Sequence, residues 1–483
     1  MNKRMVAGFL GRICYLEAVL MLIPFVVGLI YREGPETLLS FIYTIGILVV
    51  CGFFLSLFEP EQTSYTLVDG FAITALSWFL LSFFGGLPFV FSGEIQSVID
   101  ATFEMTSGFT TTGSSILQNV EALSQSMLFW RSFSHLVGGM GVLVFAFALI
   151  PELGEGSVSI MKAEVPGPEF GKLVAKNKNT AAILYTIYIA MTGILVLLLM
   201  LAGMQPFDAL IHAFGTAGTG GFSNKALSVG HFNNPMVEYI LSFGMIIFGI
   251  NFNLYYFLLR KEFKTFFSSE ELRLFLKVLA AAVLLLMLVM HADYSHFEPL
   301  FRDAFFTVTT IISTTGFGTV DFTLWPLFAQ LIILLLMFSG SMAGSTAGGI
   351  KMSRILIYLK GIRRDIIQAV HPRKVVPITV DGRLMSNIYI KRTFIYLGTY
   401  FMVFTVLTLL VSISENDFMT AFSAVAATIN NIGPGMGNIG PASNFSSFNP
   451  FAKVTLICSM IIGRLEIYPV LILLLKRTWT TKY

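Results

Sequence analysis

The residues whose types and spacing suggest chemistry in this chain are threonines and glycines, not acids or histidines. The plainest stretch is Thr309-Thr310-Ile311-Ile312-Ser313-Thr314-Thr315-Gly316-Phe317-Gly318-Thr319. It follows Asp303-Ala304-Phe305-Phe306-Thr307-Val308, which reads as a helix opened by Asp303, and it precedes an uncharged segment from Phe322 to Ile350. Helix, glycine turn and membrane helix is the layout of a re-entrant pore loop. A cation leaving water needs replacement oxygens, and rings of backbone carbonyls supply them. Glycine permits the φ that turns such carbonyls inward. Threonine adds a hydroxyl on a stiff χ1. The helix before the turn points its carbonyl end, worth roughly half a negative charge, at the same place.

The pattern occurs four times. Asp100 leads to Thr111, Thr112 and Gly113; Asp208 to Gly218, Thr219 and Gly220; Asp303 to Thr314, Thr315 and Gly316; Asp417 to Asn431, Ile432 and Gly433. With Gly113, Gly220, Gly316 and Gly433 taken as equivalent, the Asp-to-Gly offsets are 13, 12, 13 and 16 residues. Irregular self-similarity at this long interval predicts a fourfold internal repeat, not a solenoid. The residues just named are the candidate cation ligands. None of the four loops reads TVGYG, the filter of potassium channels, which predicts a simplified filter with fewer defined ion sites.

Loops of this kind need membrane helices around them. The chain has 483 residues, of which 55% are hydrophobic and 12% charged, about half the charged share of soluble domains, roughly 25%. Apolar segments long enough to span fall at residues 7–31, 37–58, 70–92, 126–150, 180–203, 236–259, 272–290, 323–350, 393–413 and 453–475. The first is read as a retained membrane helix, since Glu17 interrupts it and no small-residue cleavage site follows. The predicted fold is all-α and polytopic. Two N-terminal helices occupy 1–65, and membrane–pore–membrane repeats occupy 66–155, 176–262, 270–355 and 388–483, arranged with pseudo-fourfold symmetry around one pore.

Charge supports that topology. Lys3, Arg4 and Arg12 start the chain; Lys162, Lys172, Lys176 and Lys178 lie between repeats one and two; Arg260, Lys261, Lys264 and Arg273 between two and three; Lys476, Arg477 and Lys482 close it. From Lys351 to Arg392 there are ten basic residues and two acidic ones. Cytoplasmic loops collect such residues, so both termini are expected in the cytoplasm and the four glycine loops are expected to enter from outside. The basic segment 356–387, broken by His371-Pro372, reads as a solvated loop or as a docking surface for a cytoplasmic partner.

Other chemistries lack a basis. The net charge of +3 gives nucleic acid no support. Cys14, Cys51 and Cys458 are isolated and read as packing residues. His135, His212, His231, His291, His296 and His371 have no ligand spacing, so no metal centre and no catalysis are assigned. Ile350 separates Gly349 from Lys351, which breaks a phosphate-binding motif. A secondary transporter with alternating access would show inverted repeats, whereas these run parallel.

Two features remain. Gly340, Gly344, Gly348 and Gly349, followed by Lys351, interrupt the second helix of repeat three; each glycine disfavours helix by about 1 kcal/mol. The stretch reads either as close packing through small residues or as a break. Arg464 lies inside the last span, where a charge is expensive and faces a cavity or partner. Glu466, two residues on, does not share its face. Arg464 is thus either half of an ion pair with another helix or a charge beside the pore.

At this point the sequence resembles the Trk/Ktr/HKT superfamily of potassium transporters, and is most similar to its bacterial TrkH type. The motifs that carry the resemblance are Thr106-Ser107-Gly108-Phe109-Thr110-Thr111-Thr112-Gly113, Ala217-Gly218-Thr219-Gly220-Gly221-Phe222, Ser313-Thr314-Thr315-Gly316-Phe317-Gly318 and Asn430-Asn431-Ile432-Gly433-Pro434-Gly435. The resemblance implies potassium coordination by the loop glycines and the residues before them. Some plant relatives with Ser at the first glycine favour sodium, so Gly113 implies potassium. It further implies an intramembrane gating loop at 340–350, a barrier role for Arg464, and a homodimer in the bacterial inner membrane. A cytoplasmic TrkA-type ring would bind the nucleotide (NAD or ATP/ADP), with no cofactor in this chain itself. Potassium would move down its electrochemical gradient or with a coupled ion.

Overall fold

The computed structural model describes residues 1–58, 66–141 and 178–480. The expected loop at 59–65, most of that at 152–179 with Lys162, Lys172 and Lys176, the end of the span at 126–150, and Lys482 lie outside the described residues. Two antiparallel apolar helices come first, α1 (Lys3–Ile30) and α2 (Pro35–Ser56). Pro35 opens α2, at the position where its missing N–H is harmless.

Four repeats follow. Repeat one comprises α3 (Leu67–Phe91), α4 (Val98–Phe109) and α5 (Gln125–Gly139). Repeat two comprises α6 (Lys178–Leu201), α7 (Pro206–Ala217), α8 (Pro235–Phe248) and α9 (Phe252–Leu259). The short α10 (Phe263–Ser268) leads to repeat three, with α11 (Glu270–Met290), α12 (Phe297–Ile312) and α13 (Leu327–Phe338). Helix α14 (Met352–Val370) and a hairpin of β1 (Thr379–Val380) and β2 (Arg383–Leu384) connect to repeat four, with α15 (Asn387–Ser412), α16 (Phe418–Ile429), α17 (Pro450–Arg464) and α18 (Tyr468–Leu474). Lys476–Thr480 forms the last turn, α19.

The first helix of each repeat is, like α1 and α2, long and apolar enough to cross a membrane. The second helices at 236–259 and 453–475 are not the straight spans expected, and that at 323–350 breaks where its glycines predicted. The α8–α9 pair bends by 91°. Helix α13 stops at Phe338, and the chain is non-helical until Met352. Helix α17 ends at Arg464, because Glu466 (φ 53°) and Ile467 (φ 72°) take left-handed backbone.

Two further expectations change. Residues 352–370 are an amphipathic helix, not a loop: Met352, Leu356, Ile357 and Gly361 are buried on one face. Its charges find partners, Arg354 with Glu466 and Lys360 with Glu270. The helix ends one residue before His371-Pro372, where the break was expected. In repeat three the pore helix starts at Phe297, so Asp303 lies in its second turn and accepts from Tyr294 Oη at 2.8 Å instead of opening it. Asp417 does cap α16, accepting from Thr420 Oγ1 at 2.5 Å and from the Thr420 N–H at 2.9 Å, bonds that hold its carboxyl below the usual range.

Packing closes the repeats into a ring. Helix α5 packs on α7, α8 on α12, α13 on α16, and α17 on α4. Each second helix therefore leans on the pore helix of the next repeat, and the fourth returns to the first. Helix α1 covers α3 and α5 from outside. The result is pseudo-fourfold architecture around one axis, with the four pore helices α4, α7, α12 and α16 pointing their C-termini inward.

Candidate ion-conducting site

The four pore helices end in one and the same way. The N–H groups of Thr112, Gly220, Thr315 and Ile432 donate to the carbonyls five residues back, at Ser107, Gly215, Thr310 and Ala427, over 2.7–2.9 Å. Those of Thr111, Thr219, Thr314 and Asn431 donate three residues back, to Gly108, Thr216, Ile311 and Thr428. This is the helix C-cap that requires one left-handed residue, ordinarily glycine or asparagine. Here Thr111 (φ 56°), Thr219 (φ 56°), Thr314 (φ 57°) and Asn431 (φ 53°) occupy it. A β-branched residue in that region stores on the order of 1–3 kcal/mol, and such strain clusters at functional sites.

The caps fix the register. Two residues after the strained position stand Gly113 (φ 82°), Gly221 (φ 74°), Gly316 (φ 81°) and Gly433 (φ 102°). In repeat two the equivalent of Gly113 is thus Gly221, not Gly220, and Gly218 matches Thr110 instead of a ring residue. With Gly221 the offset from Asp208 is 13, the value of repeats one and three, and that equality was the available signal.

The four glycines meet their neighbours in a closed cycle. A Cβ on Gly113 would lie 2.1 Å from the Gly220 oxygen, on Gly221 1.9 Å from that of Thr315, on Gly316 1.8 Å from that of Ile432, and on Gly433 2.8 Å from that of Thr112. The carbonyls preceding the four glycines therefore crowd one small ring, each against the next repeat. Asn431 Nδ2 donates across the ring to Thr112 Oγ1 at 2.9 Å, and Ser114 Oγ to the Gly433 oxygen at 3.0 Å. All four glycines line one outward cleft, with Ser114, Gly318 and Pro434. The strained residues are fully buried.

Beneath the ring lies the interrupted stretch of repeat three. Its ends pair as Ser339 with Ile350. Gly348 N–H donates to Thr314 Oγ1 at 2.8 Å, and Ser341 Oγ to the Ile312 oxygen at 2.9 Å. A Cβ on Gly348 would meet the Asn430 oxygen at 2.3 Å, and one on Gly340 the Gly348 oxygen at 2.2 Å. Gly344 and Gly349 adopt positive φ. The Lys351 ammonium closes on the Ala347 oxygen. The loop also explains the bend in repeat two: Gly249 O accepts from Met342 N–H, and Gly344 O accepts from Phe252 N–H.

Arg464 joins these parts. Its Nη1 donates to Thr111 Oγ1 at 3.2 Å and to the Thr346 oxygen at 2.8 Å, and its Nη2 to the oxygens of Gly138 and Gly139 at 2.5 and 2.8 Å. It thus touches the ring of repeat one, the end of α5 and the loop of repeat three. Glu466 turns elsewhere, to Arg354.

Two acids were invisible in the sequence as site residues. Glu271 Oε1 accepts the N–H of Ala343 at 2.7 Å and of Ser353 at 2.9 Å, pinning both limbs of the loop. In sequence it looks like an ordinary first-turn acid. Glu104 on α4 pairs with Arg131 on α5 at 2.5 Å, both buried, while Arg131 Nη1 reaches the Ser223 oxygen at 3.0 Å and Glu104 accepts from Ile116 N–H at 2.9 Å. This pair ties loop one to loop two. Removing one partner strands a buried charge, so Glu104→Gln should lower stability by about 3–5 kcal/mol. A clear fall in melting temperature in detergent is the expected readout; an unchanged one contradicts the bracing role.

A family model described as TrkH, cation transport protein, matches residues 41–480. The Trk system potassium uptake protein TrkH of Escherichia coli (strain K12) is 36% identical over 487 residues, covering 99% of this chain and 100% of its own. The Trk system potassium uptake protein TrkG of the same strain is 34% identical, covering 99% of both. The crystal structure of the potassium transporter TrkH from Vibrio parahaemolyticus superposes with a TM-score of 0.87 at 34% identity, over 99% of this chain and 100% of that one. The chain is a multi-pass membrane protein that belongs to the TrkH family of cation transport proteins.

Proposed function

We propose that this chain takes up potassium across the bacterial inner membrane, with both termini in the cytoplasm. The observation that carries the reading is the closed cycle of Gly113, Gly221, Gly316 and Gly433 against the carbonyls of Gly220, Thr315, Ile432 and Thr112. Four backbone oxygens at the ends of four inward-pointing helices suit a dehydrated monovalent cation, and they add no fixed charge to hold it too tightly. The relatives named as potassium uptake proteins support the choice of ion. Non-helical backbone at this depth is tolerated because it lines a water-filled path.

In this reading the loop from Gly340 to Gly349 obstructs the path below the ring, held by Thr314, Glu271, Lys351 and Arg464. In the same reading two copies of the chain pair as a homodimer, and a TrkA-type cytoplasmic ring, carrying the nucleotide, docks on the basic face of α14 to release the loop. Thr314→Val removes the acceptor for Gly348 N–H, an unmet bond of about 1–3 kcal/mol. Basal rubidium flux should then rise, and flux equal to the wild type would contradict the latch.

The reading is tested by uptake of labelled rubidium into proteoliposomes, with unlabelled potassium, rubidium, sodium, lithium and caesium as competitors. Competition by potassium and rubidium, but not by sodium or lithium, is the expected result. Equal competition by sodium would reassign the ion.

A further inference from the structure

Repeats one and three stiffen the backbone around their strained threonine with a hydroxyl clasp. Thr110 Oγ1 meets Thr112 Oγ1 at 2.7 Å, and Ser313 Oγ meets Thr315 Oγ1 at 2.7 Å. In repeat four, Asn430 takes the first clasp position. Its Nδ2 donates to the Ala426 oxygen at 2.8 Å, and its Oδ1 accepts from Tyr400 Oη at 2.9 Å. Repeat two has neither arrangement: Gly218 and Gly220 stand at the two clasp positions, and neither has a side chain.

His135 of α5 fills that gap from the neighbouring repeat. A Cβ on Gly220 would lie 2.4 Å from His135 Cγ and Nδ1 and 2.6 Å from Cδ2. A Cβ on Gly218 would lie 2.2 Å from the His135 oxygen and 3.2 Å from its Cβ. Gly220 does not have positive φ, so its backbone would accept a side chain; the imidazole is what excludes one. The ring stacks on Phe222 at 4.3 Å with planes 22° apart, and the Arg131 guanidinium covers Phe222 at 3.6 Å from the ring centre. His135 is fully buried, and neither ring nitrogen has a hydrogen-bond partner among the described residues. Its hold on the repeat-two segment is through the face of the ring.

We propose that His135 is a positioning residue for ion selectivity: its imidazole takes the side-chain space at Gly220, its backbone backs Gly218, and together they fix the Gly220 carbonyl in the ring. The inference rests on the potassium reading above and deepens it. Selectivity among ions of one charge depends on how the coordinating carbonyls are held as well as on their number. A Gly-Thr-Gly-Gly segment with nothing behind it would be the loosest part of the ring.

The test is a reciprocal swap in the full-length protein, read as rubidium uptake into proteoliposomes with sodium competition, after gel filtration has shown each variant folded. His135→Ala should lower discrimination against sodium by about tenfold, the equivalent of roughly 1.4 kcal/mol. Gly220→Ala alone should abolish uptake, because its methyl group has no space. The double variant, Gly220→Ala with His135→Ala, should regain both uptake and discrimination, since the methyl enters the vacated volume. His135→Phe, which keeps a flat ring there, should keep discrimination. A folded His135→Ala that discriminates as the wild type does overturns the brace. So does a double variant no better than Gly220→Ala. Wild-type protein that passes potassium and sodium alike would overturn the potassium reading, and the brace with it.

Discussion

Gly113→Ser should reduce the preference for potassium over sodium by about one to two orders of magnitude, roughly 1.4–2.8 kcal/mol, while leaving the fold intact. Gly113 has φ 82°, and a Cβ there would lie 2.1 Å from the Gly220 oxygen. The serine must therefore push one carbonyl out of the ring, and it adds left-handed strain of about 1–3 kcal/mol. The four positions should not respond equally. Gly316→Ala has the least room, 1.8 Å to the Ile432 oxygen with Pro434 Cδ at 2.8 Å, whereas Gly433 has the most, 2.8 Å to the Thr112 oxygen. Flux ratios for the series should follow that order. A folded Gly113→Ser protein with an unchanged ratio would contradict the assignment of these glycines to the ion path.

Arg464→Ala should raise basal conductance strongly. The guanidinium sits immediately below the ring, 3.2 Å from Thr111 Oγ1. A potassium ion about 6 Å from it, at an effective dielectric near 20, is opposed by roughly 3 kcal/mol, on the order of 100-fold in occupancy. The same side chain ties Thr346 of the loop to Gly138 and Gly139 of α5, so its removal both lowers the barrier and loosens the loop. Arg464→Lys separates the two effects. It keeps the charge but cannot make four donations in one plane. If repulsion dominates, the Lys variant conducts like wild type and the Ala variant does not. If both open equally, bracing dominates. Loss of folding in both, with no gain in flux, would contradict the barrier role.

Much of this organisation is written in local pattern. The four turns announce themselves because an Asp stands 12 to 16 residues before a glycine at each one, and hydropathy separates the helices around them. The register of repeat two does not announce itself, since Gly218, Gly220 and Gly221 compete for one role. The usual rule assigns left-handed backbone at a helix end to glycine, yet here Thr219 takes it. The glycines from Gly340 to Gly349 mark the break in repeat three, but the breaks in repeats two and four were harder still. The bend at residues 249–251 is held by bonds to Met342 and Gly344, far away in the chain, and no window of local sequence contains them. Helix α14 was hidden by its charges, which read as a solvated loop until Glu466 and Glu270 are seen to pair with them. Glu271, Glu104 and His135 carry no spacing signal at all, because each acts on backbone distant in sequence: Glu271 on Ala343 and Ser353, Glu104 on Ile116, and His135 on Gly218 and Gly220 of the next repeat.

If the carbonyls of Thr112, Gly220, Thr315 and Ile432 surround a potassium ion, a heavier congener will take its place. Crystals of the intact chain grown in rubidium chloride should show an anomalous scattering peak on the axis framed by those four oxygens. Crystals of Gly113→Ser under the same conditions should show that peak weakened or gone. Rubidium bound elsewhere, with the ring empty in the wild-type protein, would contradict the potassium path described here.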